Sequence, residues 1–136
     1  MLLQIIMKFK MNQLSIIDIN IQLQAISPQT LETISACTEY GSKLAGWIAY
    51  TGLAKAQAKR NLLEVKGEAL SDILNRNDKL SPSIIKEWVS AKTKDEEYAF
   101  ELADRTNAAA THQLDLVRSI LSALKTEMSS VNFYKS

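Results

Sequence analysis

Histidine, cysteine and clustered carboxylates are the residues through which this chain of 136 residues would do chemistry, and each is sparse or explained by its position. The one histidine, His112, sits at helical spacing from Leu102, Arg105, Ala109 and Leu116, with no serine or cysteine partner recognisable for it, so it reads as a structural or solvent-edge side chain. Cys37 is the single cysteine and has no internal disulfide partner. It lies on an apolar stripe, where it reads as a small buried hydrophobe in a protein of the reducing cytoplasm. Asp95, Glu96, Glu97, Glu101 and Asp104 form the one carboxylate cluster, a pattern that can hold a metal or divide acid from base. They also fall in the first turns of a predicted helix, where the dipole and unpaired N–H groups favour negative charge, with Asp95 as the expected cap. The chain contains no glycine-rich phosphate loop, no Gly-x-Ser-x-Gly and no His-Glu-x-x-His. The expectation is therefore a protein that is not an enzyme, with no cofactor and no metal site.

The charge pattern is more informative than its total. Sixteen Lys+Arg against fifteen Asp+Glu give a formal net charge of +1, which argues against a basic nucleic-acid arm. Between residues 43 and 66, however, Lys43, Lys55, Lys59, Arg60 and Lys66 oppose only Glu64, and between residues 87 and 104 six acidic residues oppose Lys92 and Lys94. On a helical wheel Lys55, Lys59 and Lys66 fall within about 40° of one another. Tyr40, Lys43, Trp47 and Tyr50 precede them at three- and four-residue spacing. Aromatic faces beside ammonium groups suit sequence-tolerant binding of a single nucleic-acid strand. The plainer alternative is that the aromatics are core and the lysines cover apolar surface or pair with the acidic segment.

These residues need elements to hold them. Cys37, Tyr40, Leu44, Trp47, Thr51, Ala54, Ala58, Leu62, Val65, Ala69 and Ile73 recur at steps of three and four, ten steps over 36 residues, which predicts one amphipathic helix from Pro28 to about Asn75. Such a helix is roughly 70 Å long, so it must break or be covered by other chains. Gly41, Gly46, Gly52 and Gly67 are the available breaks, and close helix packing is the preferred reading of them. Ser27-Pro28 and Ser81-Pro82 each read as a cap followed by a first helical position. Residues 75–81 form the reversing loop, a short helix carries Ile84, Ile85, Trp88 and Val89, and a long one runs from about Asp95 to Met128 along a seam of Ala103, Ala110, Leu114, Val117, Leu121, Leu124 and Met128.

Ile17, Ile19, Ile21 and Leu23 alternate with Asp18, Asn20, Gln22 and Gln24, which predicts an extended strand or arm that pairs with another copy or with residues 131–134. The predicted organisation is an N-terminal arm over 1–26, an all-α helical hairpin domain over 27–130 with two long helices and a short one, and a tail over 131–136, assembled as an oligomer. Residues 1–9 lack the basic start and small-residue cleavage site of a signal peptide, and Met7 and Met11 are alternative starts. No run approaches the eighteen apolar residues of a membrane span.

From residue 31 to 128 the pattern resembles the UvsY-type recombination mediators of tailed phages. The resemblance rests on the aromatic start of the long helix (TEYGSKLAGWIAYTG), its Ala/Lys-rich middle (LAKAQAKRNLLEVKGEAL), the Trp88 helix before Asp95-Glu-Glu-Tyr98, and the closing HQLDLVRSILSALKTEM. It implies a helical homo-oligomeric ring, in the cytoplasm of an infected bacterial host. That ring binds single-stranded DNA and contacts a RecA-like recombinase and the single-strand binding protein. Of the Lys-x-Arg pair that the family carries in its long helix, Lys66 is retained, whereas position 68 is Glu68. The DNA contact then falls to Lys43, Lys55, Lys59, Arg60 and Lys66 with Trp47 and Tyr50. The alternative is a helical oligomeric adaptor or virion assembly protein without a nucleic-acid role, in which the basic segment of one chain meets the acidic segment of another.

Overall fold

The computed structural model describes the backbone at residues 2–76 and 79–135, and side chains at residue 2, 15–76 and 79–131. Helix α1 (Leu2–Ala25) is followed by a 3-10 turn (Pro28–Thr30), α2 (Ile34–Leu74), α3 (Pro82–Lys92) and α4 (Lys94–Lys135). The fold is all-α, with no strand among the described residues.

The long stripe on α2 is real. Cys37, Tyr40, Leu44, Thr51, Ala54, Ala58, Leu62, Ala69 and Ile73 are all buried. The helix neither breaks nor waits for another chain: α4, of matching length at 42 residues against 41, folds back along it and buries the stripe against Ala99, Ala103, Ala110 and Val117. Small residues on both sides allow this approach. A Cβ at Gly41 would touch Leu114 and Val117 at 3.8 Å, and one at Gly52 would lie 3.6 Å from the Asn107 amide, whereas Gly46 and Gly67 face open space. Alanine-rich contact surrenders little side-chain entropy on burial, which offsets its small apolar area.

The predicted N-terminal strand is corrected. Residues 17–24 lie within α1, whose Ile16, Ile19 and Leu23 are buried against α2 and α4 while Ile17 and Ile21 face outward. Ile16, Ile19 and Leu23 stand at steps of three and four and share two residues with the alternation, and a helix satisfies its own backbone hydrogen bonds, which a lone strand cannot. Residues 131–134, the expected pairing partner, continue α4, which runs to Lys135.

The two Ser-Pro signals also part company. Ser81 caps α3, its hydroxyl accepting from the Ile84 N–H at 3.3 Å, with Pro82 in the first turn. Ser27 instead bonds the Gln29 side chain at 2.7 Å, Pro28 opens only the 3-10 turn, and Thr33 caps α2 by accepting from the Ala36 N–H at 3.0 Å. The long helix therefore starts six residues after Pro28. Asp95 lies one residue inside α4 and is not its cap.

Polar contacts fix the register of the three long helices. Asn107 of α4 donates to the Ile48 carbonyl and to Thr51 Oγ1, both at 3.0 Å. Gln113 donates to the Leu23 carbonyl at 2.7 Å and accepts from the Tyr40 hydroxyl. Asn20 donates to Thr106 Oγ1 at 3.0 Å. Sliding α4 by one turn would break these part-buried bonds and take the Asn20, Asn107 and Gln113 amides from their partners, at about 1–3 kcal/mol each.

Candidate nucleic-acid interface on the second helix

The antiparallel return of α4 brings the acidic segment beside the basic one within a single chain. Lys55 Nζ lies 2.8 Å from Asp104 Oδ1, and Lys66 Nζ lies 3.3 Å from Glu97 Oε1, with side chains 41% to 46% exposed in all four. Because these pairs remain open to water, each contributes at most about 1 kcal/mol and yields to competing charge. The expected meeting of opposite charge between copies is thus made inside the chain at these two lysines. Arg60 is more exposed and pairs with Glu64 one turn on, at 3.3 Å. Lys43 and Lys59 are exposed and have no ion pair among the described residues.

Trp47 and Tyr50 are half-buried and pack on the core. Trp47 meets the buried Tyr40 ring edge to face at 6.3 Å. Burial pushes the Tyr40 phenol above its ordinary range by desolvating the phenolate. The lysine flank is therefore assembled as its spacing predicts, while these aromatics chiefly hold helices together.

A second grouping of aromatic and basic residues lies at the loop end. The Arg76 guanidinium and the Lys92 ammonium sit 5.5 and 5.4 Å from the centre of the Trp88 ring. Lys92 follows Trp88 by four residues, a helical pairing visible in the sequence; Arg76 reaches it only because α3 folds back on the end of α2.

The remaining reactive types fall where no chemistry is assembled. Cys37 is buried and His112 exposed, and no group of His, Cys, Asp and Glu among the described residues could hold a metal ion. Among the described residues no helix is long and apolar enough to cross a membrane. In comparisons with known proteins, no family model, no curated protein and no solved structure matches the chain.

Proposed function

We propose that this chain is a non-enzymatic single-stranded-DNA-binding protein of the recombination-mediator type, working as a homo-oligomer that helps load a RecA-like recombinase in place of single-strand binding protein in the host cytoplasm. One observation carries the reading: Lys43, Lys59 and Arg60 project from α2 as exposed cations, and Lys55 and Lys66 beside Lys59 are held only by water-exposed carboxylates. Phosphates compete readily with such carboxylates, and each phosphate neutralised releases counterions. The all-helical fold, which agrees with the helical character the resemblance implies, gives further support. With a net charge of +1, one copy offers few phosphate contacts, so useful affinity comes from several copies on one strand.

The test is fluorescence anisotropy of a labelled oligothymidylate across a salt series. Log affinity should fall linearly with log salt, and the Lys43→Ala/Lys59→Ala/Arg60→Ala variant should bind at least ~10-fold more weakly with a shallower slope. No binding at low salt would end this reading. It would leave the second, a helical adaptor or assembly protein acting through protein contact alone, which the Lys55–Asp104 and Lys66–Glu97 pairs favour because they spend two of the five cations inside the fold.

A further inference from the structure

Helix α3 does not close its own apolar side. Its 11 residues include Ile84, Ile85, Trp88 and Val89, and none of them is buried, although a helix this short depends on tertiary packing for its stability. Pro82, Ile85 and Val89, at steps of three and four along α3, wall a groove of about 560 Å³ at the junction with α2 and the start of α4. Gly67 and Leu70 of α2 line its other side. Gly67 lies in the interior of α2, where only proline is a poorer helix former. The fold does not require it there, because a Cβ at Gly67 would meet nothing within 4 Å. What the glycine does is keep the groove clear down to the helix backbone.

The charges around the groove select what can enter it. Lys66, Lys86 and Glu97 are the charged residues that line it. Lys66 and Glu97 hold each other at 3.3 Å, whereas Lys86 is exposed and has no ion pair among the described residues. The groove therefore presents apolar walls, one carboxylate already neutralised and one ammonium still open. A cation would have to displace Lys66 from Glu97, while an anion meets Lys86 directly. The volume lies within the ~300–1,000 Å³ of small-molecule sites, which are likewise mostly apolar with a few placed polar groups.

We propose that the groove between α2 and α3 binds a small amphipathic anion, an acyl chain or aromatic ring that carries a single carboxylate or sulfonate. Its apolar body lies over Gly67 between Leu70, Ile85 and Val89, and its charged end meets Lys86. Binding takes apolar surface of both helices out of water and so holds α3 against α2. The site is independent of the nucleic-acid reading, because neither Gly67 nor Lys86 is among the cations and aromatics placed at the strand.

The test is titration of the full chain with anilinonaphthalene sulfonate, an anion that brightens in apolar sites, followed by competition with decanoate, decanol and decylammonium below their micelle concentrations. One probe molecule should bind per chain, and decanoate should displace it at least ~10-fold more effectively than decanol, with decylammonium the weakest competitor. Lys86→Glu, a change at an exposed side chain, should weaken the probe and decanoate by ~10-fold or more and leave decanol unchanged. Gly67→Leu, whose side chain has open space to enter, should fill the groove and abolish binding with an equal or higher urea midpoint, which separates a blocked site from an unfolded one. Decanol competing as well as decanoate, wild-type affinity in Lys86→Glu, binding retained in Gly67→Leu, or several probe molecules per chain would each overturn the proposal.

Discussion

Ile19 and Ile21 stand two residues apart, and their substitution separates the helix from the strand that the alternation suggests. In a strand both side chains share one face. In α1 they part: Ile19 is 6% exposed and Ile21 59% exposed. Ile19→Ala removes three carbons from a closed site among Leu23, Cys37 and Tyr40 and leaves a cavity, costing about 2–5 kcal/mol. For Ile21→Ala roughly two-fifths of the same transfer free energy is lost, about 1 kcal/mol at ~0.8 kcal/mol per buried methylene. The better helix propensity of alanine returns ~0.4 kcal/mol. The expected net cost is about 0.5 kcal/mol. Urea denaturation followed by circular dichroism measures both, and a loss of stability that is at least ~3-fold larger for Ile19→Ala supports the helix. Equal losses, or a larger loss at Ile21, would refute the placement of α1.

Three further outcomes follow from the same geometry. Gly46→Ala, where a Cβ meets nothing within 4 Å in a helix interior, should stabilise the fold by ~1 kcal/mol in the same urea assay. Because burial raises the Tyr40 phenol, the unfolded chain ionises at this residue first as pH passes about 10, so the contribution of Tyr40 to stability should be constant below that value and fall above it, and ultraviolet difference titration against Tyr40→Phe should find the Tyr40 phenol ionising late. Lys66→Ala and Glu97→Ala should each cost under ~1 kcal/mol, and a double-mutant cycle at high salt should show their coupling vanish.

Much of the helical frame is legible in the residues. Eleven stripe positions at a period of 3.6 locate α2, and nine of them are buried. Ser81-Pro82 marks the start of α3 because a capping hydroxyl and a fixed φ agree there. Ser27-Pro28 misleads because Thr33 offers a competing cap nearer the apolar stripe, and a serine-proline pair opens a 3-10 turn as readily as an α-helix. Residues 16–26 support both periods; the choice falls to a helix because Ile16, Ile19 and Leu23 have α2 and α4 to pack on, a fact about tertiary neighbours. For the candidate interface, the wheel places Lys55, Lys59 and Lys66 on one flank. Which of them are already paired depends on the register of α4, set by Asn107 and Gln113, and no spacing within α2 reports it.

Exposed cations on a nearly neutral chain serve a nucleic-acid role only if copies assemble. Size-exclusion chromatography with light scattering, run at low salt with and without an oligothymidylate long enough to span several copies, measures assembly and binding together. The protein alone should elute at a multiple of the chain mass, and with the oligonucleotide as a larger particle carrying both absorbances. A particle of one chain mass that elutes apart from the oligonucleotide would contradict the nucleic-acid role.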